Sequence, residues 1–195
     1  MRAEIKRLQR ALGITAVLVT HDQVEALSMA DRILVLREGH LQQLADPHTL
    51  YHQPTNEFVA RFIGSTPMNF LPVDKTTTPC TFHLVDTSWC FVVPAATWPP
   101  GTRSPQGAGH FTLGLRPEDI ALQLTAEDHL LPAMLTLLEP LGREVLLSVT
   151  CGPHQLRVLV PAPCPLTPGT TVWLNLSRGP HHIFDPSTGL ALRLG

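Results

Sequence analysis

The chain has 195 residues, of which 16 are acidic and 14 are basic, and its formal net charge is −2 at pH 7. This weak charge argues against general binding to nucleic acid or to an acidic membrane surface, so we expect no nucleic-acid partner. The longest apolar runs are far shorter than the roughly 18 residues that a membrane helix needs. The first residues do not begin a signal peptide. These features predict a cytoplasmic protein.

The first part of the chain predicts helices around a buried strand. Residues 2–12 have the apolar spacing of an amphipathic helix, which Gly13 would end. An apolar run then predicts a strand at residues 15–20, and His21 follows its carboxyl end, where open α/β sheets bind ligands. Asp22 would cap a helix from residue 23 to about 30, with Glu25 completing a capping box.

The next segment predicts a hairpin and two short helices. Residues 33–36 and 41–45 are apolar runs joined through Glu38-Gly39, which is typical of a hairpin. Pro47 suits the start of a helix that ends near residue 52. A second helix, residues 56–63, is expected to bury Phe58, Val59 and Phe62. The breaker cluster at residues 64–67 then predicts the domain junction.

Beyond the junction the pattern is that of β structure. Short runs of alternating apolar residues predict strands at residues 145–150, 155–160 and 171–176, as in a small barrel or sandwich. Residues 94–109 are rich in proline and glycine and predict a mobile loop. Arg116-Pro117-Glu118 predicts a strand followed by a proline-led turn. Two interpretations of this turn stay open: a local ion pair of Arg116 with Glu118, or a regulator or dimer contact.

Histidine and cysteine do not predict a metal site. His181 and His182 are adjacent, so they would point to opposite faces of a strand, and no carboxylate or cysteine stands at ligand spacing. We expect them to be ordinary surface histidines. The four cysteines are widely scattered and contain no C-x-x-C pair, which predicts free thiols.

One segment carries a specific resemblance. Thr20-His21-Asp22-Gln23-Val24-Glu25-Ala26 is similar to the switch-histidine segment of the ATPase subunits of ABC importers. The resemblance spans nearly the whole chain but only the last half of the family's length. Further matching segments follow in the order and spacing of the carbohydrate and glycerol-phosphate importer ATPases: residues 30–36, 47–51, 58–65, 68–69 and 113–119.

This resemblance implies two domains and a role for His21. Residues 1–64 would be the C-terminal part of an α/β ABC ATPase domain, and residues 65–195 an all-β, OB-type regulatory (transport-associated) barrel. His21 would be catalytic, contacting the γ-phosphate of ATP. In the intact family ATP and Mg²⁺ are used, and the partners are a second ATPase subunit in a homodimer, membrane permeases and a regulatory protein. The expected location is the inner face of the plasma membrane, and the expected task is to power uptake of sugars or glycerol phosphate.

The motifs that hold nucleotide in that family are not in this sequence. Its two lysines, Lys6 and Lys75, lie outside any glycine-rich stretch, so no phosphate-cradling loop is present. A Ser-Gly-Gly signature loop and an Asp-Glu pair for magnesium are also absent. The chain therefore reads as a C-terminal piece of a larger ATPase, not expected to bind cofactor or hydrolyse ATP alone. The alternatives are a stand-alone OB-type module that binds a small molecule or regulator, and a merely structural His21.

Overall fold

The computed structural model describes residues 2–78, 80–94 and 109–192. The chain divides into two compact units, Met1–Pro67 (unit 1) and Met68–Gly195 (unit 2). The mobile loop predicted at residues 94–109 falls almost entirely outside the described residues.

Unit 1 consists of short helices around one hairpin. Its elements in chain order are α1 (Arg2–Leu12), α2 (Gln23–Met29), β1 (Ile33–Arg37), β2 (His40–Ala45), α3 (Pro47–His52) and α4 (Glu57–Phe62). The predicted hairpin is confirmed, and its turn is made by Glu38 and Gly39 with φ angles of 52° and 79°. Side-chain caps set the starts of α3 and α4. Asp46 accepts the backbone N–H of Thr49, and Asn56 accepts that of Val59.

The strand predicted at residues 15–20 is wrong. This segment carries no strand assignment, and Val17 and Val19 are 89% and 93% exposed. A strand needs a neighbour that takes its backbone hydrogen bonds, and no described segment pairs with this one. Residues 15–20 therefore have the apolar composition of a buried strand but no described neighbour to pair with.

A small core holds the rest of unit 1. Val35, Leu50, Val59 and Ile63 are buried against one another. Phe62 was expected to be buried with them, but it is 44% exposed. The buried residues of α4 are Val59 and Ala60, and Ile63 is buried just after the helix ends. Phe62 instead stacks on Phe58, with 5.8 Å between ring centroids.

Unit 2 is built from antiparallel strands. They are β3 (Asn69–Lys75), β4 (Thr81–Leu84), β5 (Cys90–Val92), β6 (Gly109–Leu115), β7 (Ala121–Gln123), β8 (Leu131–Pro140), β9 (Glu144–Cys151), β10 (His154–Pro161), β11 (Thr171–Asn175) and β12 (His182–Phe184). In the described part of the chain they form two five-stranded sheets, ordered β12-β6-β3-β4-β5 and β10-β9-β8-β11-β7. The strands predicted at residues 145–150, 155–160 and 171–176 are confirmed as β9, β10 and β11.

The core of unit 2 lies between these two sheets. Leu71, Phe82 and Leu113 from one sheet pack in the same buried cluster as Leu147 and Leu174 from the other. Successive strand residues alternate between this core and the outer faces, which is why the period-2 pattern located the strands correctly.

Asn69 links the two sheets at their seam. Its side-chain oxygen accepts from the backbone N–H of Arg157 in β10 at 2.7 Å, and its amide nitrogen donates to the carbonyl oxygens of Arg157 at 2.8 Å and Leu115 at 3.2 Å. The side chain is only 7% exposed. Asn69 therefore takes the place of a neighbouring strand for one residue of β10.

The expectation that His181 and His182 lie on the surface is wrong. His181 is 0% and His182 is 5% exposed. The Nε2 of His181 is bonded to the carbonyl oxygen of Leu176 at 2.5 Å, and His182 pairs with Gly114 in β6. Burial lowers the pKa of His181, which favours its neutral form.

Replacing Asn69 is expected to weaken unit 2. Asn69→Ala removes three hydrogen bonds, two of them to backbone groups of Arg157, so the free energy of unfolding should fall by about 2–3 kcal/mol. Asn175→Ala is the matched control, because Asn175 makes only a local bond to Ser177 N. For Asn175→Ala the free energy of unfolding should fall by about 1 kcal/mol. Urea unfolding measures both, and equal losses would contradict the linking role of Asn69.

Candidate functional site

The candidate catalytic residue, His21, lies exposed between segment 14–20 and α2. Its neighbour Asp22 caps α2, accepting the backbone N–H of Glu25 at 3.0 Å, as predicted. The Asp22 N–H donates to Thr20 Oγ1 at 3.0 Å. In a full capping box the Glu25 side chain would accept this N–H, so the predicted box is only half formed. Two local bonds therefore fix the backbone on the C-terminal side of His21.

A long-range bond also holds this region. The side-chain oxygen of Gln23 accepts the backbone N–H of Gly64 at 3.0 Å, joining the start of α2 to the end of α4. No local sequence pattern indicates this contact, because the two residues are 41 positions apart. His21 is therefore an exposed imidazole next to a helix start that is tied to the end of α4.

The described residues around His21 do not complete a nucleotide site. Asp22 is occupied as a helix cap. No group of three or more His, Cys, Asp or Glu residues in the described ranges is placed to hold a metal ion. These residues therefore do not fit a magnesium site, and the γ-phosphate contact of His21 stays a prediction.

The second candidate region is the turn after β6. The predicted strand and proline-led turn are confirmed: Pro117–Asp119 forms one turn of 3-10 helix, and Arg116 is only 2% exposed. Burial raises the pKa of Asp119 to about 6, the charge of Glu118 adds to the effect, and Arg116 opposes it. A regulator or dimer contact at this turn stays a prediction.

Comparison with known proteins identifies the relatives of the chain. Residues 113–184 match the model of the TOBE domain. Over 189 residues the chain is 41% identical to an uncharacterized ABC transporter ATP-binding protein, y4oS, of Sinorhizobium fredii, covering 97% of this chain and 48% of that protein. It is 38% identical over 191 residues to the sn-glycerol-3-phosphate import ATP-binding protein UgpC of Vibrio vulnificus, covering 95% and 48%.

This chain is homologous to the C-terminal half of ABC importer ATP-binding proteins. The resemblance found in the sequence is thereby confirmed, and so is the fold class, because the TOBE domain has an OB-type fold and lies within unit 2. The chain spans about half the length of the curated relatives it matches. None of the helices in the described ranges is long and apolar enough to cross a bilayer.

The raised pKa of Asp119 predicts a pH-dependent stability difference. The pKa is 3.8 ordinarily and about 6 in the folded chain, so the folded state binds the proton more tightly. The stability that protonated Asp119 adds to the folded state is complete below pH 4 and is lost as the pH rises through 6. Asp119→Asn, which cannot ionise, should therefore become more stable relative to the parent chain between pH 5 and 7.

Urea midpoints of the parent chain and Asp119→Asn at pH 5 and pH 7 measure this effect. Asp128→Asn, at an exposed position of the same unit, controls for the change in net charge. A difference between parent and Asp119→Asn that is the same at both pH values would show that Asp119 ionises equally easily in the folded and unfolded chain.

Proposed function

We propose that this chain acts as the C-terminal part of the ATP-hydrolysing subunit of an ABC importer that powers uptake of glycerol phosphate or sugars. The observation that carries the proposal is the exposed His21, held by the Asp22 cap and by the Gln23–Gly64 bond, within the segment that resembles the family's switch histidine. The similarity to UgpC, named as a sn-glycerol-3-phosphate import protein, supports glycerol phosphate as the solute class.

His21 suits contact with a γ-phosphate for a physical reason. A neutral imidazole donates an N–H to a phosphate oxygen without bringing a fixed positive charge. Its second nitrogen remains available to orient the attacking water. We therefore assign His21 the positioning of phosphate and water, in a site where ATP is bound by residues that this chain does not contain.

The partners follow from the same proposal. In an intact importer, unit 1 would meet a second ATPase subunit and the membrane permeases, and unit 2 would receive a regulatory protein. ATP and Mg²⁺ would be the substrate and metal of that complete assembly. The assembly would sit at the cytoplasmic face of the membrane, held there by its permeases.

The exposed segment 14–20 is where the rest of the ATPase would join. Val17, Leu18 and Val19 form a continuous apolar run, and all three side chains are exposed. A neighbouring strand would pair with this edge, cover its apolar side chains and bring phosphate-binding groups towards His21. Without such a neighbour, we propose that the chain has no ATPase activity of its own.

The isolated chain should therefore release no phosphate. Purified protein incubated with ATP and Mg²⁺ is expected to match the protein-free blank, because the described residues offer neither a phosphate loop nor a metal site. A malachite-green phosphate assay measures this. Magnesium-dependent hydrolysis that follows the monomeric chain through gel filtration would contradict the proposal.

A chimaera tests the role of His21. The chain replaces the corresponding half of Vibrio vulnificus UgpC, and the joined protein is expected to hydrolyse ATP. His21→Ala should lower its kcat by a factor of about 10²–10³, the usual effect of removing one group that stabilises the reacting phosphate or oxyanion.

His40→Ala is the matched control for this experiment. His40 is also exposed, but it lies at the start of β2, and its ring nitrogen Nδ1 contacts the Glu38 carbonyl in the hairpin turn. The control should keep the activity of the parent chimaera. Equal activities of the two variants would remove the assigned role from His21 while leaving the family membership of the chain untouched.

A further inference from the structure

Gln23 links the helix that follows His21 to the end of α4. It is the first residue of α2, two positions after His21, and it is half-buried. Its side-chain oxygen accepts the backbone N–H of Gly64 at 3.0 Å. This bond connects the candidate catalytic segment to a part of unit 1 that is distant along the chain.

The direction of α2 depends on contacts of this kind. A helix of seven residues is marginal by itself, and none of the residues of α2 is fully buried. Leu27, four residues after Gln23 and thus on the same side of the helix, packs against the cluster that contains Val59 and Ile63. Apolar packing has no preferred direction, whereas a hydrogen bond fixes a distance and an angle. The Gln23 bond is therefore well suited to orient the start of α2.

Local bonds make His21 follow Gln23. The Asp22 N–H donates to Thr20 Oγ1, and the Asp22 carboxylate accepts the Glu25 N–H, both at 3.0 Å. These two bonds bracket both His21 and Gln23 in the chain. A displacement of Gln23 therefore moves the backbone of His21 as well.

The other end of the bond lies close to the boundary of unit 1. Ile63 caps the C-terminal end of α4, its N–H bonding to the Val59 carbonyl, and the next N–H, that of Gly64, donates to Gln23. Gly64 has a φ angle of 130°, a backbone conformation that favours glycine. Unit 1 ends three residues later, at Pro67. The bond is thus made where the chain leaves α4 for that boundary.

We propose that Gln23 is a positioning residue for His21, and that through Gly64 it makes the placement of His21 depend on the backbone at the boundary of unit 1. This inference rests on the function proposed for His21. Catalysis is sensitive to such placement, since a shift of about 1 Å can lower a rate by about 10². A change of backbone conformation at Gly64 would withdraw its N–H from Gln23 and release the start of α2. Residues 64–67 would thereby control His21.

The bond is tested first in the full chain, without ATP. Gln23→Met keeps the length of the side chain but removes the acceptor oxygen, whereas Gln23→Glu retains an acceptor oxygen. We expect the ¹H–¹³C signals of the His21 imidazole to shift in Gln23→Met. The Gly64 amide should exchange its hydrogen about tenfold faster in Gln23→Met and at the parent rate in Gln23→Glu.

Gln42→Met is the matched control. The side-chain oxygen of Gln42 also accepts a bond within unit 1, from Asn56 Nδ2 at 3.0 Å, but it does so at the start of α4 and not at its end. This variant should leave the His21 signals unchanged. His21 signals that move in neither variant, or equally in both, would overturn the proposal.

The chimaera with Vibrio vulnificus UgpC then measures the effect on catalysis. Gln23→Met should lower kcat about tenfold and leave the KM for ATP unchanged, because it displaces a group and removes none that binds nucleotide. Gln23→Glu should keep most of the parent kcat, and Gln42→Met all of it. A parent kcat in Gln23→Met together with a low kcat in His21→Ala would overturn the role of Gln23 alone. A parent kcat in both would remove the role of His21 and, with it, this inference.

Gly64→Ala tests the connection to the boundary of unit 1. Alanine is strained at a φ angle of 130°, so this variant should lower kcat as Gln23→Met does, and the double variant should be no slower than either. Gly39→Ala is the control for backbone strain, because Gly39 has a φ angle of 79° and no neighbour within 4 Å of an added Cβ. Losses that multiply in the double variant would show that Gly64 and Gln23 act separately and would overturn the connection.

Discussion

Strand pairing is the constraint on which the rest of this structure depends. A strand is stable where a neighbour takes its backbone hydrogen bonds and where its apolar side chains are covered. Unit 2 meets both conditions, with two antiparallel sheets enclosing one core and with Asn69 bonding to β10 at the seam. Segment 14–20 of unit 1 meets neither, although its sequence is more apolar than most strands of unit 2.

This contrast explains why the candidate site is held in place but not complete. The residues after the unpaired segment are fixed by local bonds to Thr20 and Asp22 and by the Gln23–Gly64 contact. His21 is thus presented at the end of an apolar edge, where a ligand would sit once a neighbouring strand was in place. Under the proposed function, that neighbour would belong to the other half of a nucleotide-binding domain.

The features that the sequence predicted correctly depend on nearby residues. Asp22 caps α2 through the backbone of Glu25, three residues away, Glu38-Gly39 adopts the φ angles of a tight turn, and β11 alternates between buried and partly exposed residues. The features that the sequence patterns did not predict depend on partners that are distant along the chain. The burial of His181 requires the sheet around β12, and the exposure of Val17 follows from a pairing that is not made. The role predicted for His21 rests on its motif, whereas the Gln23–Gly64 bond had no local signal.

Amide hydrogen exchange of residues 15–20 tests the central claim most directly. The account predicts rapid exchange in the isolated chain, because these amides have no strand partner. It predicts exchange at least a hundredfold slower, as expected for core strands, when the chain is joined to the other half of a relative. Protection already present in the isolated chain, or absent in both proteins, would contradict the claim that residues 15–20 lack a strand partner here and gain one in the joined protein.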